Sequence, residues 1–521
     1  MPKPSNPVTA ALLVVLAGSA GAGAWPPLSQ TWLAWVCVAP LLVAVRGRNF
    51  PAAALLGWLW GFAYEGGVAW WVQATLAEHT GLGTPAILAV HVGMAAILGS
   101  ATALVAVVVA AGTRRGRGTW WLAPAAWVAV DWLRGQTAFW FPWTHLGYTQ
   151  AAHLPLVQIA ALTGVYGVTA LVVFANAVMA EAATCGDRRM AVRWVAVGVV
   201  VVLVAGAFGA LRLRFTTPAP RKLRVALVDG GIGERDKWQP DYADVTLRRY
   251  LRLTTAAAAE RPELVVWPET ALPFFFEDPG PRRERVLAVA RRLGIPLVVG
   301  APAADVGPGP GLRQRNRVHL LGSDGAALAY YDKRVLVPFG EYVPTRWLAA
   351  RVPPVAPAAA PIEPGAGSAT LSLPALRVGV LVCYENVFPW LARRAVADGA
   401  AVLVNPSNDA WYARVAAPAQ QLAHTVLRAV ESGVPVVRVA NRGILAVADG
   451  RGRLLLAERP GMPTWRVVEV PLNVSRSPYA RWGDVFAWAC AVVALLSVAL
   501  RATGPAVDDG VGRVVRRRPD P

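Results

Sequence analysis

Long runs of apolar residues dominate the first 212 residues of the chain. Bounded by polar residues, proline or glycine, they cover residues 7–24, 29–45, 52–76, 85–111, 119–133, 154–183 and 192–212. An eighth run covers residues 484–502. A helix needs about 20 mostly apolar residues to cross the hydrocarbon core of a membrane. The pattern therefore predicts a multi-pass bundle of eight membrane-spanning helices.

The segment between the seventh and eighth runs has a different pattern. Short β-branched runs, typical of buried strands, occur at residues 223–228, 264–267, 296–300, 317–321, 328–331, 378–382, 401–405, 434–440 and 445–449. Helical patterns lie between them at residues 242–258, 281–293, 391–398 and 420–432. Alternating strands and helices predict an α/β domain with buried sheets, and this segment is long enough for a core of its own.

These patterns divide the chain into four parts. They are a seven-helix transmembrane region at 1–212, an α/β domain at 213–482, an eighth transmembrane helix at 483–503 and a basic tail at 504–521. The first apolar run has a second interpretation, because Lys3 and the small residues Ala20–Ala24 are also compatible with a cleavable signal peptide. We expect an uncleaved helix, and either interpretation leaves the remaining topology unchanged.

Composition and charge support a membrane protein. Only 16% of the residues are charged, compared with about 25% in soluble domains, and 55% are hydrophobic. The net charge of +19 is concentrated in alternate loops and in the tail, at Arg46, Arg48, Arg114, Arg115, Arg117, Arg188, Arg189, Arg193, Arg513 and Arg516–Arg518. By the positive-inside rule both termini are predicted to be cytoplasmic and the α/β domain extracytoplasmic. Because topology explains these arginines, we expect no nucleic-acid partner.

One cysteine stands at a position suited to catalysis. The chain has no Walker A loop, Gly-x-Ser-x-Gly elbow, His-Glu-x-x-His or Cys-x-x-Cys motif, and its six histidines lack ligand spacing, so we expect no metal or other cofactor. Cys383 follows the apolar strand at 378–382, where a turn at the strand end would expose a thiol near backbone N–H groups. Buried packing is the alternative for a single cysteine.

Two further segments place charged residues just after strands. Glu269 ends Val265-Val-Trp-Pro-Glu269, and Lys333 follows Tyr330-Tyr-Asp332, with Glu341 eight residues later. A carboxylate can accept a thiol proton, and a lysine can stabilise a thiolate and developing negative charge. Surface salt bridges would explain either residue taken alone.

Together these segments resemble a known family. Trp267-Pro-Glu-Thr-Ala271, Tyr331-Asp-Lys333, Leu336-Val-Pro-Phe-Gly-Glu-Tyr-Val-Pro344, Cys383-Tyr-Glu385 and Ser407-Asn-Asp-Ala-Trp411 resemble the apolipoprotein N-acyltransferase family of the carbon-nitrogen hydrolase (nitrilase) superfamily. The resemblance implies a nitrilase-like αββα sandwich, inserted before the last of eight transmembrane helices.

The resemblance also implies roles for individual residues. Glu269 would be the general base, Lys333 the stabiliser of the oxyanion and thiolate, and Cys383 the nucleophile. The supporting or substrate-binding positions would be Glu341, Tyr384, Glu385, Trp238, Trp411 and Trp143. For the tryptophans, anchoring at the membrane interface is an alternative.

The implied reaction is acyl transfer through a Cys thioester in the bacterial inner membrane. A membrane phospholipid would be the donor, and the N-terminal amine of a diacylglyceryl-Cys apolipoprotein would be the acceptor, served by a monomeric enzyme. The alternatives are a membrane-anchored amidase or nitrilase acting on a small amide, and a scaffold with a degenerate domain. We also expect some of the aromatic residues Phe274–Phe276, Trp347, Phe388 and Trp390 to enter lipid, with core packing as the alternative.

Overall fold

The computed structural model describes residues 6–113, 118–137, 139–215, 219–306, 312–344, 362–412, 416–472 and 476–502. The predicted basic tail at 504–521 and Trp347 lie outside these ranges.

Helices occupy the predicted apolar runs. They are α1 (Pro7–Ala22), α2 (Ala39–Val45), α3 (Phe50–Val68), α4 (Trp71–His79), α5 (Thr84–Thr113), α6 (Thr119–Arg134), α7 (Leu154–Val157), α8 (Ala160–Thr163), α9 (Val165–Thr184) and α10 (Arg188–Arg214). Side chains of Asn6, Asn49 and Asp187 cap α1, α3 and α10 by accepting backbone N–H bonds, which satisfies donors that a helix start leaves unpaired.

Three of these helices, α5, α9 and α10, are long and apolar enough by themselves to cross a membrane. Other predicted spans are interrupted. The run at 52–76 is divided between α3 and α4, and the run at 154–183 is divided among α7, α8 and α9. Gly164, with a φ of 68°, separates α8 from α9, a conformation that favours glycine. The eight-span arrangement therefore stays a prediction.

Small residues bring α3 and α5 into close contact. A Cβ atom built on Gly61 would lie 2.8 Å from the Cα atom of Gly99, and one on Gly57 would lie 2.6 Å from the carbonyl oxygen of Thr102. Helices in membranes pack through such small residues because lipid provides no hydrophobic drive for their association. Glycine at these positions therefore permits the backbone approach.

Two six-stranded sheets form the α/β domain. The strands are β1 (Arg221–Asp229), β2 (Leu264–Val266), β3 (Leu297–Val306), β4 (Leu312–Leu321), β5 (Ala327–Asp332), β6 (Thr370–Leu373), β7 (Leu376–Val380), β8 (Val402–Asn408), β9 (Val436–Asn441), β10 (Leu445–Ala448), β11 (Leu454–Glu458) and β12 (Thr464–Leu472). Their order is β12-β1-β2-β3-β4-β5 in one sheet and β11-β10-β9-β8-β7-β6 in the other. The central strands β1–β3 and β7–β9 are parallel.

Helices cover the outer face of each sheet. The sheets pack on each other through a core that includes Leu227, Val266, Val380 and Val404. The helices α12 (Tyr242–Ala257) and α13 (Pro281–Leu293) cover the first sheet, after the short helix α11 (Glu234–Lys237). The helices α14 (Pro389–Ala397) and α15 (Ala417–Ser432) cover the second. The predicted αββα sandwich is confirmed.

The strands that the sequence pattern missed lie at sheet edges. All nine predicted strands are present, whereas β6, β11 and β12 were not predicted. Edge strands are partly exposed, and β11 has no fully buried residue. Their side chains therefore lack the continuous apolar pattern of strands that are covered on both faces.

The helix α15 joins the α/β domain to the helical region. Its Gln420 Oε1 accepts hydrogen bonds from Trp71 Nε1 at 3.1 Å and Trp143 Nε1 at 2.7 Å. Its Glu431 accepts the backbone N–H of Val165 at 2.6 Å. After β12, the short helix α16 (Pro478–Trp482) leads into the apolar helix α17 (Val485–Ala502). The two regions are therefore packed together through polar as well as apolar contacts.

The inter-sheet core predicts one stability effect. Leu227 in β1 is fully buried between the sheets, so Leu227→Ala removes apolar contacts and leaves a cavity that costs about 2–5 kcal/mol. We expect the thermal midpoint of the full chain in detergent to fall by on the order of 10 °C. The control is Leu455→Ala at a side chain that is 43% exposed in β11. Equal midpoints for the two variants would contradict the packing described here.

Candidate active site

Three strand ends bring the predicted catalytic residues together. Glu269 follows β2, Lys333 follows β5, and Cys383 follows β7. They come from both sheets of the sandwich, and their exposed fractions are 5%, 2% and 4%. The site is thus a buried junction between the sheets.

Lys333 lies between two carboxylates. Its Nζ donates to Glu269 Oε1 at 3.0 Å and to Glu341 Oε1 at 3.0 Å, and it lies 2.9 Å from Glu341 Oε2. The backbone N–H of Val337 donates to the same Glu341 oxygen at 2.9 Å. Buried charges need such compensation because desolvation is costly. Glu341 is therefore a second carboxylate that holds the ammonium in place beside Glu269.

The charges of the site follow from burial and pairing. Burial alone would raise the pKa of Glu269, but the Lys333 charge and hydrogen bonds hold that pKa below its ordinary value. Burial opposes the charged form of Lys333, yet Glu269 and Glu341 hold its pKa well above the ordinary range. Burial, with the nearby Glu269 charge, raises the pKa of Cys383 to about 12. At neutral pH the site contains an ion pair beside a protonated thiol.

A strained turn presents the thiol. Cys383 has a φ of 51°, in the left-handed region that non-glycine residues seldom adopt, and it begins the 3-10 turn Cys383–Val387. Its carbonyl accepts a hydrogen bond from Asn405 Nδ2 at 3.2 Å. The thiol interacts with Glu269, Ser407 and Tyr412. Such strain is common where a side chain must be held for function.

Glu385 ties this turn to the segment after Lys333. It is fully buried and accepts backbone N–H bonds from Val382 at 2.6 Å, Arg334 at 2.6 Å and Val335 at 3.1 Å. The hydroxyl of Tyr331 donates to both of its carboxylate oxygens at 3.0 Å. Burial raises the pKa of Glu385 to about 7. One carboxylate thus links the chain on both sides of Lys333 to the turn Cys383–Val387, which we call the nucleophile turn after the predicted role of Cys383.

Two asparagines complete the surroundings of Glu269. Asn316 Nδ2 donates to Glu269 Oε1 at 2.7 Å and to Glu341 Oε1 at 3.1 Å. The backbone N–H of Asn408 donates to Glu269 Oε2 at 2.9 Å. Neither asparagine was predicted from the sequence as a site residue. Asn408 lies in the Ser407–Trp411 motif, whereas Asn316, in the middle of β4, gave no local signal.

The three predicted tryptophans occupy different positions. Trp238 Nε1 donates to Glu234, which also accepts from Asn408 Nδ2 at 2.7 Å, so Trp238 is connected to the surroundings of Glu269. Trp411 packs edge-on against His79 of α4 at 4.8 Å. Trp143 is buried and lies near the nucleophile turn, with its ring 6.2 Å from that of Tyr384.

An aromatic stack extends from the nucleophile turn to the helical region. It consists of Phe141, Trp143 and Tyr384, whose rings lie nearly parallel with centroids 5.4–6.2 Å apart. Arg134 at the end of α6 donates to the Phe141 carbonyl at 3.2 Å and forms an ion pair with Glu65 at 2.9 Å. Side chains from the predicted spans therefore hold the aromatic stack beside Cys383.

Two of the aromatic residues that we considered for lipid contact are buried in the domain. Phe276 and Phe388 are each only 1% exposed, so they do not face lipid. Phe276 packs against His319 at 4.7 Å, and Phe388 packs against Tyr384 at 5.2 Å. Core packing, the alternative expected for these side chains, therefore applies to both. Phe274, Phe275 and Trp390 are partly buried.

Comparisons with known proteins cover both regions of the chain. Residues 17–178 match the family model described as apolipoprotein N-acyltransferase N-terminal domain, and residues 224–471 match the model described as carbon-nitrogen hydrolase. The crystal structure of Saccharomyces cerevisiae Nit3, a member of the nitrilase superfamily, is similar at 21% identity with a TM-score of 0.38. The match covers 49% of this chain and 92% of that chain.

Two relatives that match this chain over most of its length are both named apolipoprotein N-acyltransferase. An apolipoprotein N-acyltransferase of Geobacter metallireducens is 39% identical, over 94% of this chain and 94% of its own length. One of Allorhizobium ampelinum is 34% identical, over 85% of this chain and 86% of its own length. With this identity over nearly the whole length, the chain belongs to the apolipoprotein N-acyltransferase family.

Proposed function

We propose that this protein transfers a fatty acyl chain from a membrane phospholipid to the N-terminal amine of a diacylglyceryl-Cys apolipoprotein, with Glu269, Lys333 and Cys383 as its catalytic triad. Membership of the family makes the protein an acyltransferase that acts in lipoprotein maturation. The observation that carries the assignment of the triad is the buried Glu269–Lys333 ion pair beside the Cys383 thiol.

The first half-reaction forms a thioester. As Cys383 Sγ attacks the ester carbonyl of the phospholipid, Glu269 accepts the thiol proton, because the thiol is protonated at rest. The Lys333 ammonium stabilises the developing negative charge on the oxyanion. A carbon–sulfur bond forms and the ester carbon–oxygen bond breaks. The leaving alkoxide takes the proton from Glu269 and departs as a lysophospholipid.

The second half-reaction forms the amide. The neutral amine of the apolipoprotein attacks the thioester carbonyl, and Glu269 accepts a proton from the amine nitrogen. A carbon–nitrogen bond forms, the carbon–sulfur bond breaks, and the proton returns to the sulfur as the thiol is regenerated. Lys333 stabilises the same charge in both steps. The product is the triacylated lipoprotein.

The supporting residues position the triad. Glu341 holds Lys333 and Glu385 fixes the nucleophile turn, since each contacts the segment that it restrains. Tyr384 and Trp143 are buried and stack on each other, so in this proposal they support the turn that carries the thiol from the side of the helical region. Trp238 supports the surroundings of Glu269 through its hydrogen bond to Glu234. Trp411 lies in the 3-10 turn Asp409–Tyr412, next to Tyr412, which interacts with the thiol.

Both substrates are lipids, which explains why the domain is attached to apolar helices. In the proposed arrangement residues 1–212 supply seven spans, residues 213–482 form the extracytoplasmic catalytic domain, and residues 483–503 form the eighth span. Both termini are cytoplasmic, the membrane is the bacterial inner membrane, and the protein is a monomer. The alternating arginines support this topology. The amidase alternative is less supported, because the family match includes the helical region.

The thioester predicts a covalent adduct. After the purified protein is mixed with phospholipid, intact-protein mass spectrometry should detect an added acyl mass on wild type and none on Cys383→Ala, which lacks the nucleophile. A diacylated lipopeptide should remove the adduct. A folded wild-type protein without an adduct, or an adduct that persists on Cys383→Ala, would contradict the proposed role of this thiol.

If Glu269 is the general base, replacing it should slow thioester formation without unfolding the protein. Glu269→Gln keeps the shape of the side chain but cannot accept the thiol proton, so thioester formation should slow by about 10²–10⁴-fold. The rate is measured by single-turnover mass spectrometry. The matched control is Glu284→Gln, an exposed residue on α13, which should react at the wild-type rate. Wild-type rates for Glu269→Gln would rule out its role as base.

The hydrogen bond from Asn316 predicts a shift in pH dependence. This bond favours ionised Glu269, so Asn316→Ala should raise the pKa of Glu269. Activity requires the ionised form and is lost as pH falls through this pKa, so the acid limb of kcat/KM should move to higher pH. The control Asn176→Ala removes buried hydrogen bonds to Val38 and Ala34 in the helical region without touching Glu269. An unshifted limb in Asn316→Ala would contradict this role.

A further inference from the structure

A groove lies at the junction of α14, α16 and α17. Its volume is about 500 Å³, within the range of small-molecule sites, and it is lined by side chains that include Trp390, Arg393, Arg394, Arg481 and Trp488. None of the residues of the proposed triad lines it. The groove is therefore separate from the candidate active site.

The lining of the groove is basic. It contains three arginines and Asp484, which gives a net charge of +2. Asp484 lies 3.4 Å from Arg393 and accepts a hydrogen bond from Tyr479 at 2.6 Å. Arg394 and Arg481 are exposed and form no ion pair within the part of the chain that the structure describes. Two cationic side chains thus remain available to an anion.

The backbone shapes the groove around Arg393. Gly483 has a φ of 70° and connects α16 to α17. A side chain there would overlap the Arg393 guanidinium. The positive φ favours glycine at this position, and the missing side chain leaves room for the Arg393 guanidinium.

The groove lies where the membrane surface is expected. It adjoins the first turn of α17, the predicted eighth span, and Trp482 and Trp488 near that helix start are 69% and 59% exposed. Tryptophans are enriched at the level of lipid headgroups. The positive-inside rule places Lys and Arg in cytoplasmic loops, whereas these arginines lie at the predicted outer end of α17. Topology therefore does not explain a basic cluster at this end of the span.

We propose that this groove binds the headgroup of an anionic phospholipid in the leaflet that the catalytic domain faces. Arg394 and Arg481 would contact the phosphate, and Trp390 and Trp488 would lie along the glycerol and the start of the acyl chains. The lipid would bridge α14 and α17 and so hold the catalytic domain against its last helix. The inference uses the proposed membrane placement of α17 but does not depend on the proposed acyl transfer.

Lipid binding to the full-length protein tests the proposal. The protein is purified in detergent, stripped of lipid and titrated with phosphatidylglycerol or with zwitterionic phosphatidylcholine, and bound lipid is counted by native mass spectrometry. Wild type should bind phosphatidylglycerol more tightly than phosphatidylcholine. Arg394→Gln with Arg481→Gln should weaken phosphatidylglycerol binding by about 30-fold, since each arginine contributes about fivefold near anionic lipid.

Two further pairs of substitutions separate this site from general charge effects. Arg248→Gln with Arg252→Gln removes the same charge from exposed positions on α12 and should leave binding unchanged. Arg394→Lys with Arg481→Lys keeps the charge and should retain most of the affinity. If the groove glutamine pair does not fold, Arg394→Gln alone should give about a fivefold loss. Wild-type affinity in the groove variants, an equal loss in the α12 pair, or equal binding of the two lipids would overturn the proposal.

Discussion

The buried ammonium of Lys333 is the charge around which the site is organised. A lysine that is almost fully removed from water is stable in its charged form only where opposite charges compensate for lost hydration. Glu269 and Glu341 supply that compensation, but together they leave one excess negative charge. Asn316 and the backbone N–H of Asn408 donate hydrogen bonds to these carboxylates. These polar groups around Lys333 thus compensate for the burial of one cation.

The sandwich architecture brings these groups to one point. Glu269 and Lys333 extend from strands of one sheet, whereas Cys383 and Asn408 belong to the other. The carboxyl ends of the parallel strands therefore meet only when the sheets pack face to face through their aliphatic core. Glu385 then fixes the distance between Lys333 and Cys383, because it accepts hydrogen bonds from the segment after Lys333 and from the residue before Cys383. This one carboxylate therefore links the packing of the two sheets to the geometry of the proposed triad.

The helical region contributes to the site as well as anchoring it. Arg134 and Glu65 hold the loop that carries Phe141 and Trp143, and the aromatic stack reaches Tyr384 next to Cys383. On the other side, Gln420 of α15 accepts hydrogen bonds from Trp71 and Trp143. The candidate site is therefore joined to the helical region by hydrogen bonds and by packed aromatic side chains.

The amino-acid sequence by itself determined the elements whose signal is local. Strands covered on both faces, such as β2 and β10, are continuous apolar runs, and Glu269, Lys333 and Cys383 stand just after predicted strands within short recognisable motifs. The tertiary structure alone decided which edge strands complete each sheet, that Phe276 and Phe388 pack inward, and that Asn316 and Arg134 support the site. The physical reason is that hydrogen bonds and packing between distant segments leave no periodic pattern in the chain, whereas burial of a strand or a helix does.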